Sequence, residues 1–421
     1  MKKKLPSAEK KSSASPWLSV SKLGPVHDAK IAFGDLTVIV GPQATGKSVL
    51  LETLKLVIDR DHVHQTFAHH NTIFTTGSDG VTAFLGGYFG KGMGALNTLD
   101  TKIEWSGKPK RMAELSKPIK RKNPPAERVF YIPAQRVVSL PKGVTQNFSN
   151  FDYGDPYVLR HFSDTVHNLL QNEFGTKAEL FPRVGRLNDT LRKPIADHFF
   201  GGAKLEIDAR EFTKRLILKI PGSDEPLPFL AWSAGQREFI PLLLGLYWLC
   251  PAGATQRRES LEWVVIEEPE MGLHPLAISS LLLLVLELMR RDYRVVISTH
   301  SPVVLEMVWA LKQLQDLNGG EIDVRNLFGL RATTDAKALA AAALKKQYAV
   351  YFFDRGKPAR DISSLDPGAT AEAESEWGGL TGFASRAGDV ISRAVNRNES
   401  SMMNSVPENE TPNALGARYV E

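Results

Sequence analysis

Gly41-Pro42-Gln43-Ala44-Thr45-Gly46-Lys47-Ser48 stands between an apolar β-branched run, Leu36-Thr37-Val38-Ile39-Val40, and a segment in which Val49, Leu50, Leu54, Val57 and Ile58 recur at helical spacing. The octet fits G-x-x-x-x-G-K-[ST] in the setting its mechanism requires, a buried strand, a glycine turn and a helix amino terminus. Glycines let backbone N–H groups face inward toward phosphate oxygens, and the helix dipole adds positive potential at the same point. Lys47 is therefore expected to bridge the β- and γ-phosphates of ATP and Ser48 to ligate Mg2+, with Gly41 to Val49 as the nucleotide-binding set.

Outward from this loop, Arg128 to Ile132 has strand character, and after residue 230 helix (Gln236 to Leu249), strand (Trp263 to Ile266), helix (Leu276 to Arg290) and strand (Val295 to Ser298) alternate. Such alternation predicts a parallel α/β sheet. Val264-Val265-Ile266-Glu267-Glu268 is an apolar strand that ends in two carboxylates. A strand end places one of them toward the Mg2+ shell and the next where it can polarise an attacking water, so Glu267 is expected on the metal side and Glu268 as the catalytic base.

Four ordered motifs carry a family resemblance. Trp232-Ser233-Ala234-Gly235-Gln236-Arg237-Glu238 resembles the L-S-G-G-Q signature of ABC-type ATPases, and it precedes the paired carboxylates as that family requires. Thr299-His300-Ser301-Pro302 looks like the family's switch histidine, and Glu267-Glu268-Pro269-Glu270-Met271-Gly272-Leu273-His274-Pro275 is similar to the E-E-P-E-x-x-L-H-P variant of the overcoming-lysogenization-defect (OLD) proteins. The departures are Ala44 and Ala234 where glycines are common, Trp232 for leucine and Glu267 for aspartate.

The resemblance implies an α/β fold, an ABC-type P-loop ATPase head with a parallel sheet core, an antiparallel β edge and an inserted, mostly helical lobe. On it the chain divides into a basic tail (1–16), a first core half (17–135), the lobe (136–230), a second core half (231–302), a carboxy-terminal α/β extension (303–396) and a mobile end (397–421). It assigns Ser233, Ala234, Gly235 and Gln236 to the γ-phosphate of a nucleotide held by a second copy, which implies a head-to-head dimer. Catalytic roles fall to Glu268 and His300. Gln135, in Tyr131-Ile132-Pro133-Ala134-Gln135-Arg136, fits the family's Mg2+-sensing glutamine or an ordinary strand end, and Arg136 fits a phosphate contact or a carboxylate cap.

The chain has 421 residues with 52 Lys+Arg against 47 Asp+Glu, a net charge of +5. Residues 1–12 contribute +4 and residues 101–128 contribute +6, which leaves −5 elsewhere. Prolines 109, 118, 124 and 125 favour an extended, exposed arm in the second basic segment, either a solvated loop or a surface for nucleic acid or an acidic protein such as a phage protein. The single cysteine, Cys250, excludes an internal disulfide and suits a reducing cytoplasm. No apolar run follows the amino-terminal lysines, and none elsewhere reaches the ~20 residues of a membrane span, so neither a signal peptide nor a membrane partner is expected. His62, His64, His69 and His70 come without cysteines or a compact carboxylate set, which predicts solvent-exposed histidines over a metal site.

Two kinds of function fit. The ATPase subunits of PARIS-type and, second, Septu-type anti-phage systems are similar stand-alone ATPases that serve as scaffolds for a separate TOPRIM-like or HNH nuclease or toxin. The alternatives are a RecF- or SMC-like chromosome ATPase, or an OLD-class nuclease. The last needs a D-x-D pair downstream of His300, where the sequence has Glu306, Glu321, Asp323, Asp354 and Asp361 but no such pair.

Overall fold

The computed structural model describes residues 15–118, 125–174, 179–183, 185–209, 214–251 and 257–404. The expected basic tail, Lys120-Arg121-Lys122 of the second basic segment and the polar end from residue 405 lie outside the described residues. In chain order the strands are β1 (Trp17–Leu23), β2 (Val26–Ala32), β3 (Leu36–Val40), β4 (Asn97–Trp105), β5 (Lys108–Lys110), β6 (Val129–Ile132), β7 (Glu179–Phe181), β8 (Lys204–Asp208), β9 (Arg215–Lys219), β10 (Leu227–Pro228), β11 (Trp263–Glu267), β12 (Arg294–Ser298), β13 (Tyr348–Phe352) and β14 (Arg360–Asp361).

The central sheet has the order β14-β13-β3-β12-β11-β6. Its strands run parallel except β14, which closes one edge antiparallel. Every residue of β3, β6 and β11 is buried, because helices cover both faces and such strands read as unbroken apolar runs. The pleat divides them between two cores. Val38, Val40, Ile266 and Ile297 face one, with the helices Ala234–Leu249, Pro275–Arg290 and Pro302–Asp316; Ile39, Tyr131, Val265 and Val296 face the other, with the helix Lys47–His69.

Lys47–His69 runs beyond the predicted Ile58 and breaks helical geometry only at Asp59. Asp59 is held there because its carboxylate accepts the backbone N–H groups of Arg128 (2.9 Å) and Val129 (2.8 Å) at the start of β6. A second, antiparallel sheet, β2-β1-β4-β5, takes in the described half of the basic segment. That half is therefore not a free arm: β4 pairs with β1 over Leu18↔Trp105 to Ser21↔Lys102, and Pro109 sits on edge strand β5, where a missing N–H costs no ladder bond. Lys102, Lys108, Arg111 and Lys117 remain exposed on it.

The segment 136–230 holds a third sheet, β10-β9-β8-β7, as well as the helices Tyr157–Asn168 and Asp189–Ile195. The segment is mostly helical, as expected, and its two longer strands, β8 and β9, are the alternating stretches Leu205 to Asp208 and Leu216 to Ile220, whereas β7 and β10 are too short to show a period. Near the carboxy end β13 pairs parallel with β3, so the segment 303–396 supplies a strand to the central sheet. No helix among the described residues is long and apolar enough to cross a membrane.

Candidate nucleotide site

The carboxyl ends of β3, β12, β11 and β6 meet at one edge of the sheet, where a parallel α/β architecture presents its loops. Beyond β3 the chain turns through left-handed backbone at Gly41 (φ 142°), Ala44 (φ 61°) and Gly46 (φ 93°). A Cβ at Gly41 would lie 2.1 Å from the Phe353 carbonyl oxygen, and one at Gly46 would lie 2.6 Å from Val26 Cγ2, so only glycine passes at either point. Ala44 holds the same hand with a side chain. Thr45 Oγ1 donates to the Pro42 carbonyl at 2.9 Å, and Lys47 Nζ donates to the carbonyls of Gly41 (2.7 Å) and Pro42 (2.8 Å). The loop is thus a ring closed by its own lysine. Burial lowers the Lys47 pKa, opposed by the charges of Glu268 and Glu267.

Glu267 ends β11 and is buried, paired in register with Ser298 of β12. Its Oε2 accepts the Ala134 N–H at 3.3 Å, whereas Oε1 is buried without a hydrogen-bond partner among the described residues. Burial raises this carboxyl above the usual range, partly offset by the Ser48 hydroxyl and the Ala134 N–H. A hydroxyl beside a buried carboxylate with an unused oxygen suits Mg2+, which takes oxygen ligands and keeps several waters. Ser48 and Glu267 would hold the ion, which when bound neutralises charge on the phosphate oxygens.

Glu268 follows in left-handed backbone (φ 41°), its N–H donating to the Ser298 carbonyl at 2.9 Å. This non-glycine strain turns its half-buried carboxylate to within 3.6 Å of His300 Nε2. His300 is positioned in turn by Glu270, whose Oε1 accepts the His300 N–H (2.6 Å) and the Thr299 hydroxyl (2.8 Å). Glu270 stands inside the quoted motif, but its work on the switch segment has no counterpart in spacing alone.

Arg136 caps no carboxylate among the described residues. It is fully buried, and among the described residues its guanidinium donates to carbonyls: Nε to Glu238 (3.0 Å), Nη1 to Glu267 (3.0 Å) and Pro133 (3.5 Å), and Nη2 to Glu268 (3.2 Å). Gln135, one residue earlier, is exposed, and no hydrogen bond of its side chain is seen among the described residues. The segment reaches Glu267 through Ala134 and Arg136 instead.

Ser233 caps the helix Ala234–Leu249 with a complete capping box: its Oγ accepts the Gln236 N–H (3.2 Å), and Gln236 Oε1 accepts the Ser233 N–H (3.0 Å). Gly235 packs on Gly272, where a Cβ would meet the carbonyl oxygen at 2.8 Å. No hydrogen bond or ion pair among the described residues joins Ser233, Ala234, Gly235 or Gln236 to the phosphate loop. The structure thus brings Lys47, Ser48, Glu267, Glu268 and His300 together and leaves the signature turn elsewhere on the chain. Of His62, His64, His69 and His70, expected at the solvent surface, only His69 is exposed, while His64 is buried, stacked on Phe84 and bonded to the Leu115 carbonyl at 2.8 Å.

A family model described as "AAA domain, putative AbiEii toxin, Type IV TA system" matches residues 36–306. Among curated proteins none matches the chain. Solved structures that resemble it include the SmcHead bound to the C-winged helix domain of ScpA, with 11% identity, TM-score 0.38 and coverage of 82% of this chain and 96% of that one. Another is the SMC head domain from Thermotoga maritima, with 12% identity, TM-score 0.33 and coverage of 82% and 97%.

Proposed function

The chain belongs to the family of AAA domains described as "putative AbiEii toxin, Type IV TA system", and on that footing we propose that it binds and hydrolyses ATP with Mg2+. One observation carries the reading: Glu268 and His300, from adjacent strands, meet at 3.6 Å on the sheet edge that also holds Lys47, Ser48 and Glu267. Lys47 leaves its carbonyl partners for the β- and γ-phosphates, which exchanges weak neutral acceptors for charged ones. Ser48 and Glu267 supply oxygens to the metal. Glu268 takes the proton of the attacking water, and His300 orients that carboxylate and the γ-phosphate.

The signature turn has no phosphate of its own chain to serve, so a second copy supplies one, and ATP holds two heads face to face. The finer reading is a scaffold or sensor that controls a separate effector, a nuclease or toxin, in anti-phage defence within the cytoplasm. Its supports are the likeness of Glu267 to Pro275 to the OLD-type motif and a family description that names a toxin–antitoxin system. Phosphate release tests the chemistry: Lys47→Ala should abolish ATP binding, and Glu268→Gln should keep binding while turnover falls by ~100-fold or more. Full turnover in Glu268→Gln would remove Glu268 from the base role. Co-purification with the product of the neighbouring gene tests the effector reading.

A further inference from the structure

His62, on the nucleotide-loop helix, lies fifteen residues beyond Lys47, roughly 22 Å along that helix. There it meets Glu127, just ahead of β6, and His161, on the helix Tyr157–Asn168. One ligand atom from each of the three lies within 4.8 Å of the others. His161 Nε2 is 2.9 Å from Glu127 Oε1, and the two imidazoles stand edge to face at 5.3 Å. His62 Nε2 is buried with no hydrogen-bond partner among the described residues. A buried ring nitrogen left without a partner costs stability, which asks what it is aimed at.

We propose that His62, Glu127 and His161 form a divalent transition-metal site of the Zn2+ type, which fastens the nucleotide-loop helix to the first helix of the inserted lobe. Two imidazoles, one carboxylate and an open fourth position are a Zn2+ donor set. Zn–N bonds of about 2.0–2.1 Å place tetrahedral ligands about 3.3 Å apart, so three ligand atoms already within 4.8 Å of one another need only short side-chain movements to surround an ion.

Lys55 is the charge that opposes a cation here. Its ammonium bonds Glu127 Oε1 (2.6 Å), Asp59 Oδ2 (3.1 Å) and the Val129 carbonyl (2.6 Å). Two carboxylates against one ammonium still leave the cluster net negative, and Glu127 has its second oxygen to give.

The test is titration of the untagged full chain with Co2+ in excess Mg2+, so that the Ser48–Glu267 site does not compete, followed by displacement with Zn2+. Four-coordinate visible absorption should saturate at one Co2+ per chain and vanish in both His62→Gln and His161→Gln. These two variants leave Glu127 on Lys55 and so avoid the unpaired buried lysine that Glu127→Gln would create. Zn2+ should also raise the melting temperature of the wild type and not of either variant. A featureless spectrum in the wild type, or an unchanged one in either histidine variant, would overturn the site and leave the cluster as a hydrogen-bonded ion pair.

Discussion

At the scale of single residues the site is built from groups under tension. Glu267 is buried, with one oxygen unpartnered among the described residues, so as a bare carboxylate it is an expensive charge. Its raised carboxyl fixes the sign of a pH dependence. The unfolded chain ionises this group in the ordinary carboxylate range and the folded chain ionises it higher. The stability cost of the charge is therefore absent at low pH, grows as pH rises from the unfolded pKa to the folded one, and is constant above. Glu267→Gln should accordingly melt higher than wild type at neutral pH without metal, the gap should shrink on acidification, and Mg2+ with ATP should no longer stabilise the variant; calorimetry across pH reads all three. A wild type that melts higher than Glu267→Gln at neutral pH would show that burial does not govern this carboxyl. That Lys47, Ser48, Glu267, Glu268 and His300 cluster was legible in the sequence, because a strand–loop–helix motif and residues at the ends of parallel strands all come to the carboxyl ends of one sheet. Glu270 was quoted but not understood, because a carboxylate that receives a backbone N–H thirty residues away leaves no local pattern.

At the scale of elements the junctions carry the argument. The buried guanidinium of Arg136 joins the turn after β6, the carboxyl end of β11 and the first turn of the signature helix through the carbonyls of Pro133, Glu267, Glu268 and Glu238. Removal takes a charged donor from all four carbonyls, although Glu268 keeps the Met271 N–H, and hydrogen bonds from a charged donor are worth about 1.5–3 kcal/mol each, so Arg136→Ala should lose ~3 kcal/mol or more by urea denaturation. Arg136→Lys keeps the charge without the planar fork that reaches several carbonyls. It should fold, bind ATP and turn over more slowly than wild type; an unchanged rate would make Arg136 a purely structural clamp. Ser233→Ala, which removes half of a capping box, should cost about 1 kcal/mol in the same assay. The parallel strands and their helices were readable from unbroken apolar runs and 3.6-residue spacing. β5, β7, β10 and β14 were not, since two or three residues show no alternation, and only pairing partners far along the chain define them.

At the scale of the whole molecule the question is where the signature turn finds its phosphate. Its amide groups open the helix Ala234–Leu249, yet its one hydroxyl is spent on its own cap, and nothing among the described residues ties it to the phosphate loop of the same chain. If each site is completed by a second copy, two different inactive chains must rescue one another. Lys47→Ala cannot hold ATP but retains an intact signature turn. Ser233→Arg holds ATP, but its bulky charged side chain blocks the face offered to the partner. In a mixed dimer one site joins the working loop of Ser233→Arg to the working signature of Lys47→Ala, and the other site is dead twice over. Equal mixing makes half of the dimers mixed, each with one working site of two, so hydrolysis should return to roughly a quarter of the wild-type rate. Sites complete within a single chain would give no rescue at any ratio, and two silent proteins that stay silent together would defeat the shared-site reading without disturbing the assignment of Lys47 to ATP.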